Sequence, residues 1–302
     1  MFRSHRPLFV PLFFLFLLFS SHTLQAANSC QLPSSIRSLA TPLPASQWSN
    51  YPDLRRNRRA LQGLCVYRVR FDEGGLPWQM LLLFNPRQKK GPFWFLPHDN
   101  ENSAFDAGVW AAHRYGGGLL SVVAGGHRYF HGQDPNRNFG TDARSARQCP
   151  GQKAPAPRYT GTVFRIVDAF RGTHPYLALH NNANGYRGNG GSGTISMLRS
   201  TSRSQAYPAA PIQRRHGGLR DEDSMVYIAG RSSQAPRRKV QHLNDAGLNV
   251  KYEWVDPTHN DCSMSNYVLL HRHTDRYYNI ETERGATSTQ REMIRRLLNL
   301  HL

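Results

Sequence analysis

Short apolar runs that alternate with amphipathic segments restrict the fold of this chain more than any other feature of its sequence. Strand-like runs occupy residues 65–71, 78–84, 93–96, 118–126, 175–182, 224–230, 248–255 and 277–283. Helix-like segments occupy residues 103–115, 162–170, 238–247 and 287–302. This alternation is typical of α/β domains, and we predict a single-domain, mixed, mostly parallel sheet flanked by helices.

Two further patterns lie outside the predicted strands. The segments at 143–158 and 204–223 are rich in Pro, Ala and Arg, which indicates surface loops. The last helix-like segment opens with Thr287 and Gln290 in the spacing of a capping box, and its apolar residues share one face. We predict that this helix has a packing role.

The first residues have the pattern of a secretory signal peptide. Arg3 and Arg6 precede an apolar run from Leu8 to Phe19, and the small residue Ala26 follows. The run is shorter than the roughly 20 residues that a membrane-spanning helix needs. We therefore expect residues 1–26 to be removed, leaving no stable membrane span and a periplasmic or secreted protein.

Four cysteines, Cys30, Cys65, Cys149 and Cys262, form an even set in a chain expected to pass through an oxidising compartment. Their spacing lacks the close pairs of zinc ribbons and redox motifs. Four cysteines allow three pairings. We favour Cys30 with Cys65, which would tie down an N-terminal extension, and Cys149 with Cys262, which would close a long loop.

The formal charge of +18 favours anionic surroundings. The sequence contains no recognisable base-reading motif, and export removes the usual nucleic-acid targets, so no nucleic-acid partner is expected. Anionic cell-wall polymer, acidic peptides and a membrane surface remain as candidate partners. A basic secreted protein without a specific anionic ligand is the alternative.

Metal-type side chains follow two of the predicted strands. Phe93–Leu96 leads into His98 and Glu101, and the run at 175–182 carries His180. Ligands of open α/β sheets bind beyond the carboxyl ends of the strands, so we expect these side chains to converge. Two imidazoles and one carboxylate form the ligand set of a catalytic zinc that keeps a fourth position for water.

Candidate anion-binding and base residues lie in two other stretches. The turn RYFHGQDPNRNF carries Arg128, Asn136 and Arg137. Arginine can hold a carboxylate through two parallel hydrogen bonds and can stabilise an oxyanion, since it stays charged. The run YYNIETE places Glu281 and Glu283 on one strand face, and either could be a general base to a metal-activated water.

The motifs HDNE, RYFHGQDPNRNF, LALHNN and NIETE, in that order, resemble those of the zinc metallocarboxypeptidase family, including its succinylglutamate desuccinylase and aspartoacylase branch. The resemblance spans residues 93–283 and implies a carboxypeptidase-like fold with one zinc ion per chain. Its implied ligands are His98, Glu101 and His180. The interval from His180 to Glu281 is longer than in either branch.

The resemblance also implies roles for the remaining candidates. Arg128 would stabilise the oxyanion, and Asn136 with Arg137 would hold a terminal carboxylate. Glu281 matches the hydrophobic-Glu pattern of the family better than Glu283 and would be the base. The implied division of the chain is a signal peptide at 1–26, an N-terminal extension at 27–75 and a catalytic domain at 76–302.

Together with export, the resemblance implies a zinc peptidase that hydrolyses a C-terminal amide bond, with peptidoglycan stem peptides as expected substrates. One alternative is an amidohydrolase that deacylates a small acidic amino acid. A second is a non-catalytic, secreted binding module with a structural metal. A structural zinc site would have four protein ligands, whereas the sequence offers three strong candidates.

Overall fold

A mixed sheet of ten strands forms the centre of the computed structural model, which describes residues 30–302 except Pro150, Gly190 and Arg215. The strands are β1 (Ala40–Pro42), β2 (Cys65–Glu73), β3 (Leu76–Phe84), β4 (Phe93–Leu96), β5 (Gly118–Val122), β6 (Tyr176–Asn182), β7 (Ser204–Tyr207), β8 (Met225–Gly230), β9 (Val250–Trp254) and β10 (Tyr277–Glu283). All of them belong to the unit Pro33–Leu302; the chain up to Leu32 counts as a separate unit. The predicted signal peptide lies outside the described residues.

Helices flank the sheet, as the alternation predicted. They are α1 (Pro52–Arg56), α2 (Asn102–Tyr115), α3 (Ala143–Gln148), α4 (Pro157–Arg171), α5 (Arg237–Asp245), α6 (Met264–His271) and α7 (Thr287–Leu298). Short 3-10 turns, including Pro135–Arg137, connect some of them. The α/β class and the mixed sheet are thus confirmed.

The strand order is β1-β2-β3-β5-β4-β6-β10-β8-β9-β7. The four adjacent strands β5, β4, β6 and β10 are mutually parallel, and β8 is also parallel to β9. The remaining five pairings are antiparallel, so the expectation of a mostly parallel sheet holds for its centre only. The predicted catalytic domain begins at residue 76, between β2 and β3. These two strands pair in antiparallel fashion, so the sheet is continuous across the predicted boundary.

The central strands β4, β6 and β10 are buried along their whole length, including the polar residues at the carboxyl ends of β6 and β10. One face packs on α2, which buries Phe105 and Val109, and α2 in turn packs on α7 through Met293 and Ile294. Because β4, β6 and β10 are parallel, their carboxyl ends lie at one edge of the sheet.

Two segments that were predicted to be loops contain regular structure. Residues 143–148 form α3 because Asp142 caps its first turn by accepting hydrogen bonds from the backbone N–H groups of Arg144 and Ser145. Residues 204–207 form β7, which pairs with β9. Local Pro and Arg content concealed both elements, because a cap and a distant pairing partner outweigh composition.

The predicted capping box of α7 is wrong. The residue before the helix is Ala286, and no side chain caps this end. The Gln290 side chain instead lies in the core, where Nε2 donates to the carbonyl of His180 and Oε1 accepts from Nδ2 of Asn181. The helix that was assigned to packing alone therefore supports a predicted ligand strand.

One disulfide bond joins two cysteines that lie far apart in the sequence. The expected bridge between Cys149 and Cys262 is present, with a Cα–Cα distance of 5.4 Å. None of the cysteines in the described residues is free. None of the helices in the described part of the chain has the length and apolar character needed to cross a bilayer.

Candidate metal centre

His98, Glu101 and His180 meet at the carboxyl edge of the sheet. His98 and Glu101 lie in the short turn between β4 and α2, and His180 lies in β6, two residues before its end. All three side chains are buried, and their donor atoms lie within 4.8 Å of one another. In the described residues, no fourth His, Cys, Asp or Glu joins this group.

The candidate ligand atoms of these three side chains lie close to one another. Nδ1 of His98 lies 2.8 Å from Oε1 of Glu101 and 3.2 Å from Nδ1 of His180. Nδ1 of His180 lies 3.3 Å from Oε2 of Glu101. The backbone N–H of Asn181 donates to the same Oε2 at 3.0 Å, which fixes the carboxylate.

The hydrogen-bond partners of His98 indicate that a proton or a metal ion lies between His98 and Glu101. Nε2 of His98 lies 2.8 Å from Oδ1 of Asp134, and a carboxylate can only accept, so Nε2 carries the hydrogen. In neutral His98, the lone pair of Nδ1 then faces Oε1 of Glu101. Two acceptors at 2.8 Å need a proton or a metal ion between them.

The electrostatics of the site agree with this reading. Burial alone lowers the pKa of His98, but the carboxylates of Glu101 and Asp134 outweigh it and leave the pKa above its ordinary value. Burial would raise the pKa of Glu101, yet His98 and His180 hold it well below its usual range. The carboxylates thus draw positive charge to this group, and its donor set of two imidazoles and one carboxylate fits a zinc ion.

Arg128 reaches the metal-type group from one side. Its Nη1 lies 3.2 Å from Oε1 of Glu101, and its Nη2 lies 3.3 Å from Oδ2 of Asp134. About 35% of the Arg128 side chain is exposed, so it can also meet a ligand in the cavity. The structure therefore places this predicted residue beside the candidate ligands.

Asn136 and Arg137 line the same cavity. Nδ2 of Asn136 lies 3.5 Å from Nε2 of His180, and its Oδ1 accepts from the backbone N–H of Met264. Nε of Arg137 lies 3.2 Å from Oδ2 of Asp261. Arg137 is thus held by an acidic partner that the sequence analysis did not identify.

The two candidate bases lie in different surroundings. Glu281 lines the cavity, pairs in register with His180 across the parallel strands, and accepts from Nδ2 of Asn279 at 3.0 Å. Burial raises the pKa of Glu281, and His180 opposes that rise. Glu283 instead contacts Nδ1 of His216 at 2.6 Å and the backbone N–H of Gly217. Only Glu281 lies with the candidate ligands.

The cavity that joins these residues has a volume of about 110 Å³. Its lining also includes Tyr227 of β8, Glu253 of β9, Tyr277 and Asn279 of β10, and Asp261. A larger cleft of about 630 Å³ lies beside Trp78 and contains none of the predicted site residues. The chemistry is therefore assigned to the smaller cavity.

Some of these residues escaped the sequence analysis. Asp134 was assigned to a turn, and it does cap that turn by accepting from the N–H of Asn136, but it also orients His98. The sequence could have indicated Asn279 as a residue of this site, since it precedes Glu281 by two residues and shares its strand face. No local signal marks Glu253 or Asp261, which reach the cavity through tertiary folding.

No family model matches the sequence, and no curated protein matches it. Among solved structures, the chain is similar to two candidate metallopeptidases. One, from Shewanella amazonensis SB2B, is 15% identical with a TM-score of 0.43, covering 84% of this chain and 91% of that one. The other, from Shewanella denitrificans OS217, is 11% identical with a TM-score of 0.43, covering 89% and 97%.

A third similar structure is an aspartoacylase family protein from Mesorhizobium loti MAFF303099. It is 14% identical with a TM-score of 0.39, and the similarity covers 80% of this chain and 69% of that one. Any functional assignment depends on the side chains of this chain itself.

Proposed function

We propose that this chain is an exported, zinc-dependent peptidase that hydrolyses a C-terminal amide bond, with cell-wall stem peptides as its substrates. The observation that carries the proposal is the convergence of His98, Glu101 and His180 with Glu281 at one buried edge. We further propose that residues 76–302 supply the catalytic part and residues 27–75 an N-terminal extension. Export rests on the signal-peptide pattern at residues 1–26.

Zinc is the proposed ion, one per chain, held by His98, Glu101 and His180. When bound, it would polarise the scissile carbonyl and lower the pKa of a water molecule in the site. Three protein ligands leave a position open for that chemistry, whereas a structural site would be closed by a fourth. This difference favours an enzyme over a metal-stabilised binding module.

Glu281 is the proposed general base. Its carboxylate takes a proton from the attacking water as the oxygen adds to the carbonyl carbon. It then passes this proton to the leaving nitrogen as the carbon–nitrogen bond breaks. The products are a carboxylic acid and an amine, and transfer of the acid proton to the amine leaves a carboxylate and an ammonium group. A raised pKa suits both steps, because a group that exchanges protons works best with a pKa near the working pH.

The arginines are proposed to bind the two anionic parts of the reacting peptide. Arg128, which is partly exposed beside Glu101, would donate to the oxyanion that develops on the carbonyl oxygen. Arg137, with Asn136 beside it, would hold the terminal carboxylate of the substrate. Since Arg137 already contacts Asp261, its guanidinium is oriented before substrate arrives.

The alternative, deacylation of a small acidic amino acid, would use the same metal centre. The small cavity volume of about 110 Å³ favours a compact substrate. However, burial and then Asp261 raise the pKa of Glu253 to about 7, so an acidic side chain at this end of the cavity would meet further carboxyl groups. We therefore keep the peptidase as the leading proposal.

Incubation of the zinc-loaded protein with purified muropeptides tests the proposal. We expect a mass loss equal to one C-terminal residue, which a chelator abolishes and added zinc restores. N-acetylaspartate and N-succinylglutamate form the comparison arm. Turnover of these compounds without any peptide cleavage would replace the peptidase by the amidohydrolase.

A further inference from the structure

A second polar cavity, the arginine cavity, lies at the edge of the sheet opposite the metal centre. It has a volume of about 360 Å³ and is lined by Arg171, Tyr176, His271, Arg272, Thr274 and Arg276. Arg171 ends α4 shortly before β6, and residues 271–276 lead from α6 into β10. Since β6 and β10 are adjacent and parallel, both segments lie at the amino ends of these strands, whereas the metal centre lies at the carboxyl ends. Among the described residues, none lines both cavities.

Asp168 holds two of the arginines in place. Its Oδ1 accepts from Nε of Arg171 and from the hydroxyl of Tyr176, each at 2.8 Å. Its Oδ2 accepts from Nη2 of Arg272. The guanidinium of Arg171 also lies over the ring of Tyr176, 4.1 Å from its centroid. Both guanidinium groups are therefore oriented before a ligand arrives, which lowers the entropic cost of binding.

Several donors of the arginine cavity remain available to a ligand. Nη1 of Arg272 makes no hydrogen bond within the described residues. Arg276 uses only Nη2 there, which donates to the backbone carbonyl of Thr173 at 2.9 Å. The hydroxyl of Thr274 accepts from the backbone N–H of Arg276, so its own hydrogen can still be donated. The cavity thus offers donors from three side chains and, in the described part of the chain, no lining carboxylate.

The positive charge of the arginine cavity exceeds what its surroundings neutralise. Three guanidinium groups line it, whereas in the described residues Asp168 is the one carboxylate that pairs with them. Arg171 and Arg272 lie at the carboxyl ends of α4 and α6, where a cation also offsets the helix dipole. Arg276 belongs to neither helix and pairs with no carboxylate in that part of the chain. Its charge therefore favours an anion from outside the protein.

We propose that the arginine cavity binds a phosphate group. A phosphate presents at least three acceptor oxygens in different directions, which matches guanidinium and hydroxyl donors from several sides better than a planar carboxylate does. A soluble phosphate compound and a phospholipid headgroup share this chemistry. The site lies outside the proposed peptidase reaction and supplies a specific anionic ligand for a chain whose formal charge is +18.

Titration of inorganic phosphate into the zinc-loaded protein, followed by calorimetry, tests the site. In Arg276→Gln the affinity should fall by about tenfold or more, the usual effect of losing hydrogen bonds from a charged donor. Arg165→Gln is the matched control, because Arg165 also donates to a backbone carbonyl from an exposed position but does not line the cavity. It should keep the affinity of the unaltered protein. Both variants should keep the zinc content and the thermal unfolding midpoint, which shows that they fold.

A comparison with acetate tests the class of anion. Acetate carries one negative charge on two oxygens in a plane, so it should bind about tenfold more weakly than phosphate through the loss of at least one charged hydrogen bond. Equal affinities for acetate and phosphate would overturn the assignment to phosphate.

Sedimentation with phosphatidylglycerol vesicles, with phosphatidylcholine vesicles as the reference, distinguishes the two sources of phosphate. If Arg276→Gln loses both inorganic phosphate and the vesicles while Arg165→Gln keeps both, the ligand is a lipid headgroup. If Arg276→Gln loses inorganic phosphate alone, the ligand is a soluble phosphate compound. Either result supports the site. Equal phosphate affinity in the unaltered protein and in Arg276→Gln overturns it, because the phosphate then binds elsewhere, the metal centre included.

Discussion

Nε2 of His98 and Oδ1 of Asp134 lie 2.8 Å apart, and this contact decides which ring nitrogen of His98 can bind a metal. The carboxylate holds the hydrogen on Nε2, which leaves Nδ1 free to face Glu101 and His180. Partners of this kind are as much a part of a metal site as its ligands. Asp134 should therefore be a positioning residue for the metal.

Asp134→Asn is expected to weaken zinc binding by about 10- to 100-fold, because the amide can present either a donor or an acceptor to Nε2. Competition with a chromogenic chelator measures the affinity. Asp256→Asn is the matched control, since Asp256 also caps a 3-10 turn and pairs with an arginine, but away from the site. Equal zinc affinities in the two variants would refute the orienting role.

Glu281→Gln should retain zinc and lose nearly all hydrolysis, because the amide keeps the shape of the side chain but cannot accept the proton. Zinc content and steady-state turnover are measured on the same preparation. Glu283→Gln is the internal control and should keep substantial activity, as Glu283 contacts His216 outside the cavity lining. If Glu283→Gln is inactive and Glu281→Gln is active, the base has been misassigned.

The two arginines are expected to affect different kinetic constants. Arg128→Ala should lower kcat by roughly 100- to 1000-fold, the usual cost of losing one oxyanion donor, because that charge develops only in the transition state. Arg137→Ala should mainly raise KM, since the terminal carboxylate is held equally in the ground and transition states. Steady-state kinetics on one peptide separates the effects, and the opposite pattern would exchange the two roles.

The bridge between Cys149 and Cys262 closes a loop of 113 residues and adjoins Asp261 on the cavity wall. Cys149→Ser is expected to lower the free energy of unfolding by about 2–5 kcal/mol, measured by denaturant titration. Non-reduced peptide mapping should also pair Cys30 with Cys65. An unchanged stability in Cys149→Ser would show that the bridge contributes little to the fold.

The sequence predicted the metal-type residues because strand ends are local features. His98, His180 and Glu281 lie in or directly after apolar runs, and parallel strands bring such ends to one edge. Partner residues from distant parts of the chain have no such pattern. Gln290 appeared to be part of a capping box, yet the packing of α7 on α2 turns it toward His180.

Charge pairing was also invisible in the sequence. Arg137 was predicted to hold a carboxylate, but its contact with Asp261 depends on a bend that brings residue 261 back to the turn at 135–137. Glu253 lies in a run that alternates like any edge strand, so nothing local distinguishes it from a solvated carboxylate. These contacts depend on tertiary folding, which a single sequence does not encode in its local pattern.

The central claim is that His98, Glu101 and His180 hold one zinc ion, and the most direct test is the zinc content per chain after reconstitution and desalting. We predict about one zinc per chain for the unaltered protein and a substantial loss in His180→Ala. His216→Ala, which removes an exposed imidazole that contacts Glu283 and does not line the cavity, should keep the metal. Equal zinc content in the unaltered protein and in His180→Ala would contradict the metal centre.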